Sequence, residues 1–206
     1  MSGSIYFPGK RSEVRKEMNQ YENIPKELKQ LPQWVCHRNK VPFNPATGKA
    51  AKAGQPDTWA RFEDAVKASG SFGGIGFEFN NNGIVGIDLD KVIADDGTVS
   101  DEADGIVAML DSYTEYSPSG KGLHIFVKGD ISVDGRKKGF IEMHKAKRYF
   151  TMTGNVYGNK KPINEYTEQV KQLFGKYFSD SKSGKSVGTN NPCISSAKDY
   201  LSIGLA

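Results

Sequence analysis

The amino-acid sequence predicts an α+β fold. Short runs rich in β-branched and aromatic residues, such as residues 84–90 and 123–127, are bounded by Gly, Asn, Pro and Ser. Several of these runs follow one another across tight turns, which favours antiparallel pairing. Between them lie stretches with apolar residues at helical spacing, as at Phe62, Ala65 and Val66.

Residues 1–22 are polar, with a mixed charge run from Arg11 to Glu22, and read as an N-terminal arm. Pro25 opens a short helix over residues 25–31, where its missing N–H has no helical partner to lose. Residues 34–38 read as a strand. Residues 40–57 are loop-like, broken by Pro42, Pro45, Gly48, Gly54 and Pro56. A helix is expected over residues 59–68. Residues 74–79 and 84–90 read as a hairpin joined by Asn80, Asn81, Asn82 and Gly83, residue types that tolerate positive φ. Ser100 opens a helix ending near Asp111, with Asp101 and Glu102 suited to its positive end. Residues 113–116 and 123–127 are strands around the turn Ser117-Pro118-Ser119-Gly120-Lys121-Gly122. Residues 139–143 and 148–153 form a further expected strand pair. Asn164 caps a last helix with Tyr166, Val170, Leu173 and Tyr177 on one stripe. Past Phe178 the chain turns to Ser, Gly, Lys and Asn, and residues 179–206 read as a flexible tail or linker toward a further C-terminal region.

A chain of 206 residues with 37% hydrophobic content can bury one core between those two segments. A net charge of +4 permits a phosphate-rich partner without demanding one. Cys36 and Cys193 make neither a disulfide framework nor a cysteine-rich zinc site. No apolar run reaches about 18 residues, and the N-terminus lacks a signal-peptide pattern. No membrane partner is expected, and the cytoplasm is the expected compartment.

The chemistry concentrates at Asp88 and Asp90. In a strand these residues share a face, while Val85, Ile87 and Leu89 point to a core. Paired carboxylates repel unless a cation lies between them, and Mg²⁺ or Mn²⁺ suits such oxygens. His124 and Glu142 likewise interrupt apolar strand patterns, which marks them as facing a site. Asp88, Asp90 and Glu142 are therefore the candidate metal ligands and catalytic carboxylates. His124 suits a phosphate better than Mg²⁺. The backbone of Ser119, Gly120 and Lys121 can cradle phosphate oxygens, and Lys121 and Arg148 add positive charge. Arg148 can grip a phosphate with two parallel donors.

The order of these pieces resembles the archaeo-eukaryotic primase superfamily, and within it the primase-polymerase domain of phage and plasmid replication proteins. Gly86-Ile-Asp-Leu-Asp90 is followed by Tyr113-Thr-Glu-Tyr-Ser-Pro-Ser-Gly-Lys-Gly-Leu-His124, then Ile141-Glu-Met143, then Arg148-Tyr-Phe-Thr-Met-Thr-Gly154. Upstream, Pro32-Gln-Trp-Val35, Val41-Pro-Phe-Asn-Pro-Ala-Thr-Gly48, Trp59 and Gly74-Ile-Gly-Phe77 also fit, so the likeness covers residues 24–165. The resemblance implies an RRM-like antiparallel sheet core with an N-terminal αβ unit, and a catalytic domain over residues 23–178. It implies Mg²⁺- or Mn²⁺-dependent primase or DNA polymerase activity in a bacterial host cell, on a single-stranded DNA template with NTPs or dNTPs. A replicative helicase, fused or in trans, is the implied partner. By the same resemblance Asp88, Asp90 and Glu142 match the family's acidic residues, and His124, Ser119 and Gly120 its nucleotide-binding motif. Arg148 and Tyr149 match positions near the incoming nucleotide, with Tyr149 a candidate for sensing the sugar 2′ position. His144 departs from an expected aromatic, and the Cys/His zinc module of some relatives is absent from the sequence.

Two rival readings share these residues: a non-catalytic single-stranded nucleic-acid or nucleotide-binding module, and a metal-dependent nuclease. A calcium loop is excluded, because Val92 and Ile93 stand where a ligand and a glycine are required. His37 and His144 read as structural. Trp34, Trp59 and Phe62 read as core. The basic residues Arg136, Lys137, Lys138, Lys145, Lys147 and Arg148 suit either a solvated face or a nucleic-acid path.

Overall fold

Two antiparallel sheets face one another across a layer of aromatic rings in the computed structural model, which describes residues 21–179. The arm over residues 1–22 and the tail over residues 179–206 lie, apart from their inner ends, outside the described residues. Along the chain come α1 (Lys26–Lys29), β1 (Trp34–Arg38), β2 (Val41–Phe43), α2 (Phe62–Ser69), β3 (Ile75–Asn80) and β4 (Ile84–Leu89). Then follow α3 (Asp101–Leu110), β5 (Thr114–Tyr116), β6 (Leu123–Lys128), β7 (Gly135–Lys138), β8 (Ile141–His144), β9 (Ala146–Met152) and α4 (Thr167–Phe178). The first sheet runs β2-β1-β3-β9 and the second β5-β6-β4-β8-β7. Sheets and segregated helices make the class α+β, as the sequence predicts.

Alternation sorts the second sheet's side chains. Val85, Ile87, Leu89, Leu123, Ile125, Val127, Ile141 and Met143 bury one face against Ile106 and Leu110 of α3 and Val170 and Leu173 of α4. The other face sends Ile84 and Phe126 against Phe77, Phe79, Phe150 and Met152 of the first sheet. Phe79 and Phe150 meet edge to face with centroids 4.9 Å apart, a geometry that adds about 1 kcal/mol beyond area burial. Gly86 makes this closure possible. A Cβ there would lie 2.1 Å from Phe79 Cζ and 2.7 Å from Phe150 Cε2. At its β1 end the first sheet is covered by Leu28 of α1 and by Ala65 and Val66 of α2.

The expected hairpin over residues 74–90 does not form. Asn81 and Gly83 do take positive φ, at 52° and 83°. But β3 pairs with β1 and β9, while β4 pairs with β6 and β8. Both strands are almost wholly buried on their two faces, and stacking in different sheets covers both faces where a hairpin would leave one open. The expected pairing of residues 139–143 with 148–153 fails for the same reason. β8 lies in the second sheet and β9 in the first, with Lys145 alone between them.

Two edge strands have no signature in the sequence. β2 carries Pro42, and β7 is exposed and basic, both common ways of protecting a sheet edge. Ser100 caps α3 as expected, its Oγ accepting from the Ala103 N–H at 3.4 Å. Asn164 does not cap α4; that helix starts after Tyr166, and the Asn164 amide donates to the Asp111 carbonyl instead. Trp34 and Trp59 are core residues. Among the described residues no helix is long and apolar enough to cross a membrane.

Candidate metal and nucleotide site

One line of cross-strand neighbours runs the width of the second sheet. Glu115 of β5 pairs with His124 of β6, His124 with Asp88 of β4, Asp88 with Glu142 of β8, and Glu142 with Lys137 of β7. Their chain neighbours Leu123, Ile125, Ile87, Leu89, Ile141 and Met143 belong to the helix-side core. Strand alternation therefore turns the polar line toward the first sheet, where the aromatic layer ends. The His124 ring stacks on Phe150 with centroids 5.0 Å apart.

Asp90 stands just past β4, its N–H donating to the Phe140 carbonyl at 2.7 Å. Oxygens of Asp88, Asp90 and Glu142 lie within 4.8 Å of one another. Three carboxylates at that spacing are a hard-donor set suited to Mg²⁺ or Mn²⁺. Asp88 Oδ1 is buried and has no hydrogen-bond partner among the described residues, as an oxygen kept for an outside cation would be.

The charges around these groups are unevenly shared. Lys137 Nζ donates to Asp90 Oδ2 at 3.2 Å and to Glu142 Oε1. Arg148 Nη2 donates to Glu142 Oε2 at 3.0 Å, and His144 Nε2 lies 3.1 Å from the same oxygen. Burial alone would raise the Glu142 pKa, but Lys137, His144 and Arg148 together hold it below the usual range. Asp88 is shifted the other way. Burial raises its pKa, His124 opposes the rise, and the neighbouring Asp90 and Glu142 add to it. His144 is pushed down, chiefly by burial.

Glu115 is fully buried and accepts from the Tyr113 hydroxyl at 2.7 Å and from the Thr153 and Gly154 N–H groups, both at 2.9 Å. His124 sits between two carboxylates, Nδ1 3.7 Å from Glu115 Oε1 and Nε2 3.7 Å from Asp88 Oδ1. Both separations exceed hydrogen-bond length, and Nδ1 is buried with no hydrogen-bond partner among the described residues, so the carboxylates flank the ring without a bond to it.

The turn between β5 and β6 keeps the expected loop character. Gly120 has φ +69°, Ser117 and Ser119 hydroxyls lie 3.0 Å apart, and the Lys121 N–H donates to Ser119 Oγ at 3.2 Å. Beside this turn opens a cleft of about 600 Å³ lined by Tyr116, Ser117, Gly120, Thr153 and Gly154, among others. The volume is in the range of small-molecule sites.

Asp88, Asp90, Glu142, His124 and Arg148 thus come together, Gly120 lines the neighbouring cleft, and Ser119 precedes it in the same turn. Lys121 and Tyr149 do not join them. Lys121 Nζ donates to Asp95 Oδ1 at 2.7 Å. Tyr149 packs with Val35, Ala51 and Trp59, over Gly76, away from its neighbour Phe150. Its buried hydroxyl has no hydrogen-bond partner among the described residues, and burial pushes its pKa up to about 12. Three participants escape the sequence reading. Glu115 interrupts an apolar strand as His124 does, so the same signal could have found it. Lys137 is lost among basic neighbours. His144, read as structural, touches Glu142.

Fold and site together define an α+β protein that gathers negative charge at the open end of a sheet-to-sheet interface. No protein-family model matches the chain. It is similar to a DNA primase-polymerase of Nitratiruptor phage NrS-1, with 31% identity over 171 residues, covering 76% of this chain and 24% of that protein. The chain belongs to the primase-polymerase family, and it spans about a quarter of that relative's length.

Proposed function

We propose that residues 23–178 form a metal-dependent nucleotidyltransferase domain that extends, and in its full setting starts, nucleic-acid chains on a single-stranded DNA template during phage, plasmid or mobile-element replication. The observation that carries this reading is the position of Asp88, flanked across the sheet by His124 and Glu142 and joined by Asp90. The second sheet with its covering helices serves as the RRM-like core, and the first sheet with α1 and α2 as the N-terminal αβ unit. Family membership supports the same reaction class. A replicative helicase, fused or in trans, fits as the partner that exposes the template.

In the proposed reaction a primer 3′-hydroxyl oxygen bonds to the α-phosphorus of an NTP or dNTP, the bond to the β-phosphate bridging oxygen breaks, and pyrophosphate leaves. Asp88, Asp90 and Glu142 would hold Mg²⁺ or Mn²⁺, which when bound lowers the barrier to deprotonating the hydroxyl and offsets triphosphate charge. His124, flanked by Glu115, meets a phosphate oxygen. Gly120 lines the cleft that would admit the nucleotide, with Ser119 in the same turn, and Arg148 supplies charge at the carboxylate cluster.

Primer extension on single-stranded DNA with Mn²⁺ or Mg²⁺ tests the reading. Wild-type chain is expected to extend, and Asp88→Asn and Asp90→Asn, checked for folding by circular dichroism, to lose at least about 100-fold. Undiminished extension by both variants sinks the assignment. Degradation without incorporation selects the nuclease, and binding without either selects the non-catalytic module.

A further inference from the structure

Lys137 already fills a cation's place in the carboxylate cluster. Its ammonium donates to Asp90 Oδ2 and Glu142 Oε1, oxygens of two of the three converging groups. The other oxygen of Glu142 is engaged by Arg148 and His144, while Asp88 Oδ1 has no hydrogen-bond partner among the described residues. Both oxygens of Glu142 are thus engaged by basic groups while Lys137 stays in place, and a divalent ion must compete with its ammonium. The two basic partners differ in kind. Arg148 comes from the opposite sheet and donates from Nη2 to Glu142 Oε2. Lys137 comes from edge strand β7 and bridges two carboxylates; the two side chains are about equally exposed, 52% against 47%, and the contrast is chemical, since an ammonium on a flexible stem is the easier group to exchange.

We propose that Lys137 is a positioning residue, a tethered stand-in for the metal. It holds Asp90 and Glu142 together in the metal-free domain, releases them when a divalent ion is taken up, and then pairs with a triphosphate oxygen of the nucleotide. This rests on the nucleotidyl-transfer reading above. The physical consequence is coupling between the two ligands. An ion binding alone must displace an ammonium that gains only solvent. With nucleotide present the displaced ammonium gains a phosphate, a usual lysine partner. Nucleotide then strengthens metal binding, and metal strengthens nucleotide binding by the same factor.

The test is a Mn²⁺ titration of the full chain without template, read by the paramagnetic signal of free Mn²⁺, with and without dATP. Without dATP, Lys137→Met is expected to bind Mn²⁺ about fivefold more tightly than wild type. Added dATP is expected to tighten Mn²⁺ binding in wild type and Lys137→Arg, and by a smaller factor in Lys137→Met. Thermal melting in a chelator is a second readout: Lys137→Met melts below wild type, and saturating Mn²⁺ closes the gap. Equal Mn²⁺ affinity and equal response to dATP in wild type and Lys137→Met overturn the inference, and leave the metal-site reading standing if Asp88→Asn abolishes the binding. Mn²⁺ binding that survives Asp88→Asn, or its absence in wild type, overturns both.

Discussion

Asp88 and Glu142 are direct cross-strand neighbours, yet their surroundings push their pKa values in opposite directions. Glu142 is surrounded by Lys137, Arg148 and His144 and stays ionised. Asp88, whose Oδ1 is buried with no hydrogen-bond partner among the described residues, carries a penalty for its charge. Without a bound cation the pair is poised, with one carboxylate compensated and the other waiting.

That difference predicts the behaviour of Asp88→Asn in a chelator. The folded-state pKa of Asp88 is raised, so the native form holds the proton more tightly than the unfolded chain does. Stability from this group is fully present at low pH and is lost as pH rises through the folded pKa. Above that point Asp88→Asn is expected to melt higher than wild type in EDTA, while saturating Mn²⁺ stabilises wild type alone. Paired thermal melts with and without metal check it; a lower melting temperature for Asp88→Asn in EDTA refutes it.

Glu78 gives a pH effect remote from the carboxylate cluster. It is fully buried, neither carboxylate oxygen has a hydrogen-bond partner among the described residues, and burial raises its pKa from 4.5 to about 7. Stability is expected to be highest below pH 4.5 as far as this group is concerned and to fall as pH rises toward 7, by about 3 kcal/mol in all. Glu78→Gln should remove most of that slope. Urea unfolding at a series of pH values from 5 to 8, compared between wild type and variant, decides the matter.

Glu115→Ala strips the acceptor from the Tyr113 hydroxyl and two backbone N–H groups, a loss of about 3–5 kcal/mol. Glu115→Gln keeps an acceptor and most of the fold. Because His124 then loses a neighbouring carboxylate, Glu115→Gln should lower kcat and alter the pH profile of extension more than it lowers the melting temperature. An unchanged profile means that the Glu115 charge does not act on His124.

Gly86→Ala should cost about 1–3 kcal/mol or more, since its methyl group meets Phe79 at 2.1 Å. Adding Phe79→Leu makes room. Chemical denaturation of the double variant is expected to recover part of the loss relative to Phe79→Leu alone. Strict additivity of the two substitutions counts against this packing account.

The carboxylate pair was legible because strand periodicity alone puts Asp88 and Asp90 on one side. Glu142 and His124 were legible because a polar residue in an apolar strand must have a reason. The register that makes Asp88 the neighbour of both was not, since pairing depends on long-range packing. The division into two sheets was hidden for a local reason. Asn81 and Gly83 give the same positive φ to a hairpin and to a link between stacked sheets. Lys137 could not be distinguished from Arg136 and Lys138 until β7 was placed beside β8.

Gly86 also sets a depth. By letting Phe79 and Phe150 close over β4 two residues before Asp88, it puts a hydrocarbon floor directly beneath the carboxylates and His124. The charged line is thus a shelf laid on hydrocarbon, with half-exposed Asp90 at its outer edge.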